Sequence, residues 1–327
     1  MRIVIKGDYP VFIPHSPRLL ILVGATGVGK TQLALKLAHT WGAEIISADS
    51  MQVYRYMDIG TAKPGKTERE NTPHHLIDVV DPDGVFNVSL YINLARQIIA
   101  VPGNNQKLFI VVGGTGLYIR ALLGGLVADA GADKDLRDYL RMQLKVSGRD
   151  SLYAILKEKD ALAANLIDPH DTNRIMRAIE VWHQSGKSIV VKQREHHFSE
   201  RPYHYLKIGL KMERSQLYRR IERRAEDMID RGFVEEVKWL LAQGYHEDLK
   251  SMHSLGYRHL TGYLHGDYSL EEAVAAMKRD TRQYAKRQET WFKADPEINW
   301  FSYDDFTSLS KLVEEFMTGA DTRNILT

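Results

Sequence analysis

The sequence predicts an α/β protein: a parallel sheet flanked by helices, with a mostly helical domain inserted into it. Three observations carry this. At two places, residues 19–41 and 108–123, a short apolar run ends in a glycine-rich turn and opens into helical periodicity. Strands alternating with helices in this way build parallel sheets covered on both faces. Between about residues 127 and 201 the alternation stops and charged helical segments take its place, after which a strand-like run, YLKIGL at 205–210, resumes.

Taken in order, residues 19–23 (LLILV) form an apolar run bounded by turn signals, which reads as a buried strand. Residues 31–41 follow with Leu33, Ala34, Leu37 and Ala38 on one side of a helix. Residues 44–48 read as a second buried strand and 108–112 (LFIVV) as a third, followed by GGTGLYIRALL. In the middle block DKDLRDYLRMQLKVSG, RDSLYAILKEKDALAANL and RIMRAIEVWHQ are helical, the last closed by Ser185 and Gly186. After the strand at 205–210, helices are expected at 215–231, 234–243 and 270–294, and an edge strand at 299–303. The chain is thus expected to be an α/β core of residues 1–126 and 202–327 around an inserted helical domain of residues 127–201.

A chain of 327 residues fits about two domains, and an apolar fraction of 44% is ample for their cores. With 44 basic against 42 acidic residues the net charge is only +2, so any nucleic-acid surface must be a local patch. There is no cysteine, which excludes disulfides and cysteine-ligated zinc. The N-terminal apolar run is too short for a signal peptide and is followed by Pro10, Pro14 and Pro17. No stretch approaches the ~18–20 apolar residues of a membrane span. With no coiled-coil or repeated interface pattern either, a cytoplasmic monomer is expected.

Gly24-Ala25-Thr26-Gly27-Val28-Gly29-Lys30-Thr31 matches G-x-x-x-x-G-K-[ST], with a strand before it and a helix after it. The core is therefore expected to be P-loop NTPase-like. The glycines let several backbone N–H groups point inward, and these donors, the helix N-terminus and Lys30 suit the oxygens of a di- or triphosphate. Thr31 would supply a hydroxyl to Mg²⁺. The loop reports phosphates, not what is attached to them. A hydrolase would add a strand-end Asp and a group that positions water. The nearest candidate, Asp81 in DVVDPDG, reads equally well as a turn acid before Pro82.

Residues 45–64 read IISADSMQVYRYMDIGTAKP. If the strand ending at Ala48 is parallel and adjacent to the first, Asp49 and Ser50 open beside the phosphate loop, where α/β sheets place ligands. A carboxylate there could take a proton from a nucleophile. An Asp-Ser pair after a strand is also a common helix cap.

Taken together, GATGVGKT, ADSMQVYRYMDIGTAKP, the His74-His75 segment, VVGGTGLYIRAL, DPHDTNRIMRAIEVWHQSGKS, the IxxRxxxMxxxGxxEEV pattern at 221–237, SLGYRHL and RQYAKRQETWF resemble the tRNA dimethylallyltransferase (tRNA isopentenyltransferase) family. The resemblance runs from about residue 19 to 302. Ala25-Thr26 replaces the family's frequent Pro-Thr, and the first 17 residues fall outside it. The absence of cysteine leaves no room for the zinc finger of some eukaryotic relatives, which points to a bacterial-type enzyme.

The resemblance implies transfer of a five-carbon prenyl group from dimethylallyl diphosphate to N6 of an adenosine beside the anticodon of tRNA. The loop would then hold a diphosphate leaving group, with Mg²⁺ and Arg224 sharing its charge. Asp49 takes the place of the family's general base, and Ser50, Met51 and Gln52 lie where the adenine is held. Arg224 precedes Met228 by four residues, so both share a helix face; a solvated arginine among Arg219, Arg220, Arg223 and Arg231 is the bland alternative. Thr115 is placed against tRNA by the same resemblance, although a cap hydroxyl in a strand-to-helix turn explains it as well.

Lys278, Arg282 and Lys286 follow at i, i+4 and i+8, a basic stripe with no acid of its own along it. Ala273, Met277, Tyr284 and Trp291 cluster on the other side and are expected to face the core. The resemblance adds that Lys286, Arg287 and Gln288 touch tRNA, and Asn173, Arg174 and Arg177 offer phosphate contacts in the insertion. Two basic sites would grip the anticodon stem-loop while a base leaves its stack, at a cost of a few kcal/mol. Two other readings fit the phosphate loop: prenyl transfer to free AMP, ADP or ATP, and a nucleotide-binding module or kinase. The long insertion and the stripe argue against the first, and the DSMQVYR string is idle under the second.

Overall fold

The computed structural model describes residues 17–104, 107–126, 133–196, 198 and 200–319. The N-terminal run with Pro10 and Pro14, and the expected start of the insertion at Val127, lie outside the described residues. The chain divides into two compact units, one ending at Leu122 and resuming at Arg201, the other Leu123–Glu200.

In the first unit β1 (Arg18–Gly24) leads through the glycine loop to α1 (Lys30–Trp41). Then come β2 (Glu44–Ser47), α2 (Lys66–Asn71), β3 (His74–His75), α3 (Val88–Ile99), β4 (Leu108–Val112) and α4 (Gly116–Gly124). The second unit holds α5 (Lys134–Lys159), α6 (Ala161–Ala164), α7 (Thr172–Ser185) and α8 (Ile189–His196). The chain returns to the first unit with β5 (His204–Lys211), α9 (Arg214–Asp230), α10 (Phe233–Ala242), α11 (Tyr257–His265), α12 (Leu270–Lys293), β6 (Ile298–Ser302) and α13 (Phe306–Thr318).

The six strands form one parallel sheet in the order β3-β2-β4-β1-β5-β6. Leu20, Leu22, Ile110 and Ile208 pack on one face with Leu37 of α1, Leu217 and Ile221 of α9 and Val313 of α13. Leu19, Ile21, Phe109 and Val111, the alternate positions, are also buried, so both faces are covered as a parallel sheet requires. β6 sits at the edge, where the sequence places it.

One expectation fails here. β1 and β2 are parallel but not adjacent, because β4 lies between them and pairs with both, Ile110 standing opposite Leu20 and Ile45. β4 is apolar along its length and takes the ladder hydrogen bonds on either side, leaving the shorter β2 one place farther out. The helices α2, α3, α8, α11 and α13 and the two-residue β3 are additions to the sequence reading.

The second unit has its own core, in which Leu140, Leu152 and Leu156 of α5 meet Ala163 of α6 and Ile175, Ala178 and Ile179 of α7. α5 is kinked at Gly148 (φ 77°), the point where the two helical stretches of the sequence meet. α7 ends at Gly186 in the left-handed conformation, whose N–H donates to the Trp182 carbonyl.

Candidate active site

The loops that follow β1, β2 and β4 open into a cavity of about 660 Å³ at the carboxyl ends of the strands. Thr26, Gly27, Gly29, Lys30 and Thr31 form one wall. Gly29 caps α1 with φ 109°, a conformation that glycine adopts at no steric cost, and it, Lys30 and Thr31, at the helix end whose first N–H groups have no intrahelical partner, line the cavity. The other members of the loop do a different job. Ala25 and Val28 are buried in the core, and Gly24 lies against Leu210, so they shape the loop without lining the cavity.

Lys30 folds its ammonium back to donate to the carbonyls of Gly24 (2.8 Å) and Ala25 (2.9 Å). Burial pushes its pKa down to about 7; Asp49 pulls against that shift and Arg224 adds to it. The Thr31 hydroxyl has no hydrogen-bond partner among the described residues and is exposed to the cavity.

Asp49 lies just past β2. Its Oδ1 accepts from the N–H of Met51 (2.8 Å) and of Gln52 (3.3 Å), which fixes the carboxylate, and Oδ2 has no hydrogen bond among the described residues. The capping reading is realised at one oxygen, Oδ1, while the other makes no hydrogen bond among the described residues. A second lobe of about 340 Å³ opens on its far side, lined by Ser50, Met51, Gly60, His253, Tyr257 and Arg287 among others. Asp49, Thr26, Gly27, Thr61, Arg224, Met228 and Tyr284 line both lobes, so Asp49 and Arg224 stand where the two meet.

Helix α9 explains how the arginines are sorted. Leu217, Ile221, Ala225 and Met228 are buried, while Arg220, Arg223, Arg224 and Arg231 line the phosphate lobe. Arg224 has no hydrogen bond or carboxylate partner among the described residues, and burial lowers its pKa against the opposing pull of Asp49. A guanidinium withdrawn from water with no protein anion in contact is suited to an anionic ligand.

The glycine turn after β4 closes the site from behind. Thr115 Oγ1 accepts from the Ser50 N–H (3.1 Å) and its own N–H donates to the Ala48 carbonyl (3.1 Å), so it braces the Asp49 loop. Gly114 touches Gln288, whose Nε2 would lie 2.0 Å from a β-carbon at this position. Gln288 itself is buried and committed, Oε1 accepting from the Thr26 N–H (2.8 Å) and Nε2 donating to the Gly114 carbonyl (3.0 Å). The side-chain amide expected to touch RNA therefore joins the two glycine loops.

Gln52 is similarly engaged. Its Oε1 accepts from the Ser47 hydroxyl (3.0 Å), and its Nε2 donates to the carbonyls of Thr61 and Ala62 (3.4 Å each). Asp81, the alternative metal acid, is a turn residue that pairs with Arg55 (2.9 Å) and lines neither lobe.

The stripe on α12 is corrected more strongly. Lys278 pairs with Glu226 and Arg282 with Glu222, both acids supplied by α9, so two of its three charges are neutralised from the neighbouring helix. Lys286 and Arg287 are exposed and have no carboxylate partner among the described residues. Ala273 and Met277 are buried as expected, but farther along α12 the buried side passes to Ala285, Gln288 and Phe292, which turns Tyr284 to the cavity and leaves Trp291 43% exposed instead of in the core. In the second unit Asn173 is exposed, Arg174 pairs with Asp171 (3.3 Å), and Arg177 reaches the buried Glu180 (3.0 Å), which Arg137 also holds.

Three contributors escaped the sequence reading. Lys63 is buried, lines the cavity and joins Asp58 (2.7 Å), Asp78 (2.6 Å) and the Tyr54 carbonyl (2.5 Å). Glu236 accepts from the N–H groups of Asp58 (2.9 Å), Ile59 (2.7 Å) and Gly60 (3.2 Å) and from the Tyr257 hydroxyl (2.6 Å). Arg220 lies against Gly29. The MDIGTAK string signalled the first two, since a lysine amid such a motif invites the question of what it ties down.

Among the described residues no group of three or more His, Asp or Glu could hold a metal, and no helix is long and apolar enough to cross a membrane. Residues 52–295 match a family model described as IPP transferase. The chain is 52% identical over 305 residues to tRNA dimethylallyltransferase 2 of Syntrophus aciditrophicus, covering 93% of this chain and 98% of that one. Among solved structures it is similar to the full-length tRNA isopentenylpyrophosphate transferase of Bacillus halodurans, with a TM-score of 0.68 and 38% identity over 92% of this chain and 96% of that one. A eukaryotic dimethylallyltransferase acting on tRNA gives a TM-score of 0.80 at 26% identity, over 93% and 80% of the two chains.

Proposed function

The chain belongs to the tRNA dimethylallyltransferase (IPP transferase) family, and from that premise we propose that it moves a dimethylallyl group from dimethylallyl diphosphate to N6 of the adenosine 3′ to the anticodon of a tRNA, releasing diphosphate. The observation that carries this reading is the placement of Asp49 between two lobes, one walled by the phosphate loop and the other open beside it. The relatives just named are described by their action on tRNA, and none lends support to free AMP, ADP or ATP as the acceptor.

In the phosphate lobe the loop N–H groups, Lys30 and Arg224 hold the diphosphate. In the other lobe the adenine amine faces the allylic carbon. As the new C–N bond forms, the C–O bond to the diphosphate breaks and its electron pair leaves with the diphosphate. Asp49 Oδ2 accepts the proton that N6 must lose, while Oδ1 stays fixed by Met51 and Gln52. Lys30 and Arg224 stabilise the charge that grows on the leaving group.

The free hydroxyl of Thr31 fits Mg²⁺, which takes few protein oxygens and fills its sphere with phosphate oxygens and water. When bound there the metal would neutralise part of the diphosphate charge. Ser50 and Met51 line the acceptor lobe, with Lys286 and Arg287 on α12 exposed without carboxylate partners among the described residues and so suited to RNA phosphates, and Asn173 exposed on α7. Gln52, Thr115 and Gln288 we read as positioning residues, because their polar atoms are spent on the loops.

The test supplies Mg²⁺, labelled dimethylallyl diphosphate and either unmodified tRNA or AMP, ADP and ATP, and follows label into adenine. Label in tRNA alone is expected; label in free nucleotide, or phosphate release from ATP without transfer, overturns the reading. Asp49→Ala is expected to abolish transfer and keep tRNA binding, and near-normal turnover in that variant would sink the base assignment.

A further inference from the structure

A β-carbon built on Gly29 would lie 3.6 Å from Nη2 of Arg220 and 3.6 Å from Cδ2 of Tyr303, so these two side chains converge on the last glycine of the phosphate loop. Arg220 comes from α9 and Tyr303 from the residue after β6, and the guanidinium carbon stands 5.0 Å from the Tyr303 ring centre. Among the described residues Arg220 has no hydrogen bond and no carboxylate partner, and it lines the phosphate lobe. A guanidinium stacked on an aromatic ring uses its face and keeps its in-plane N–H donors free. Arg282 of α12 makes the contrast, because it too approaches a ring, that of Tyr218, but is already neutralised by Glu222.

Arg220 and Arg224 lie four residues apart on α9, about one turn, or roughly 6 Å along the axis. Arg224 and Asp49 line both lobes, which puts Arg224 at the junction of the two. Arg220 lines only the phosphate lobe, beside Gly29. We propose that Arg220, oriented by the ring of Tyr303, is the residue that binds the terminal phosphate of the donor and so selects a diphosphate over a monophosphate. This rests on the reading of the loop as a diphosphate site, and it concerns which residue reads the second phosphate. Tyr303 touches no ligand in this scheme; it is a positioning residue that keeps the guanidinium edge pointed at the loop.

The test measures binding of inorganic diphosphate and of inorganic phosphate to the full-length protein by calorimetry, alongside KM for dimethylallyl diphosphate and kcat at saturating tRNA. Arg220→Met is expected to weaken diphosphate binding and raise the donor KM by about tenfold to a hundredfold, the range of a charge-assisted hydrogen bond. Phosphate binding and kcat should move by less than about threefold on the same scale. Tyr303→Leu should raise the donor KM by several-fold, whereas Tyr303→Phe, which keeps the ring, should match the parent. Diphosphate binding unchanged in Arg220→Met, in protein that still transfers prenyl groups, overturns the proposal. Equal losses in Tyr303→Phe and Tyr303→Leu overturn the role of the ring. If the parent transfers nothing to tRNA but its diphosphate binding still depends on Arg220, the phosphate subsite is supported and only the prenyl reading fails.

Discussion

Gln288 accepts a hydrogen bond at 2.8 Å from the backbone N–H of Thr26, a residue 262 positions earlier in the chain. The same amide donates to the Gly114 carbonyl, so one buried side chain on α12 sets the spacing between the loop after β1 and the loop after β4. The phosphate loop is therefore held from outside as well as by its own glycines.

Replacing Gln288 by leucine keeps the volume and removes both bonds, leaving the half-buried Gly114 carbonyl and Thr26 N–H without their partner. Each such loss costs about 1–3 kcal/mol. A fall in melting temperature and a rise in the donor KM should appear together, by denaturation and steady-state kinetics. Unchanged donor KM with lost tRNA binding would return Gln288 to the RNA-contact role that its sequence context implied.

Gly114→Ala tests the same pairing from the other side. The added carbon would meet Gln288 Nε2 at 2.0 Å, and the amide can yield only by leaving Thr26. In the Gln288→Ala background the clash is gone, so the glycine substitution should cost much less there. A double-mutant cycle in stability is expected to give a coupling above about 1 kcal/mol; additive effects would mean the two residues do not constrain one another.

Glu236 does comparable work on the MDIGT loop, accepting from three consecutive N–H groups and from Tyr257. Glu236→Ala should leave those donors to water and loosen residues 57–61, which line both lobes through Thr61. A destabilisation of about 2–4 kcal/mol is expected, from several charge-assisted bonds partly replaced by water. Hydrogen exchange at residues 58–60 should rise by more than elsewhere.

The sequence made the sheet, the phosphate loop and Asp49 legible, because apolar runs, glycine spacing and a motif are local properties. What it could not show depends on partners brought from far along the chain. The acids that neutralise Lys278 and Arg282 sit on α9, more than fifty residues earlier, so a stripe without acids of its own was misjudged as free. β4 between β1 and β2 is a fact of pairing, invisible in either strand alone. Arg220 and Arg223 looked like solvated neighbours of Arg224 because helical spacing identifies a face and does not say what that face meets.

The pairing of Lys278 and Arg282 with acids of α9 has a measurable consequence for RNA binding. Lys286→Ala and Arg287→Ala remove charges without carboxylate partners and should weaken tRNA binding. They should also reduce the slope of log K against log salt, by about 0.7–0.9 for each phosphate that is no longer neutralised. Lys278→Ala and Arg282→Ala break ion pairs with Glu226 and Glu222 and should leave the slope nearly unchanged. Equal slope changes in all four would show that the α9 acids yield to RNA.

Lys30 gives the site a defined pH dependence. In the free protein burial lowers its pKa from 10.5 to about 7, which brings its titration near neutrality. A bound diphosphate adds negative charge and raises that pKa, which means binding takes up a proton above neutrality. Affinity for inorganic diphosphate should be flat below about pH 7 and fall as pH rises through and beyond it, by at most about tenfold per unit. The ligand's own ionisation works in the opposite direction, and Lys30→Met, which carries only that ionisation, is the control to subtract. Calorimetry in buffers of different ionisation enthalpy should register proton uptake near pH 8 in the parent and none from this residue in the variant. A parent affinity that stays in constant ratio to that of Lys30→Met as pH rises through 7 and beyond would mean that the lysine is fully charged before the ligand arrives.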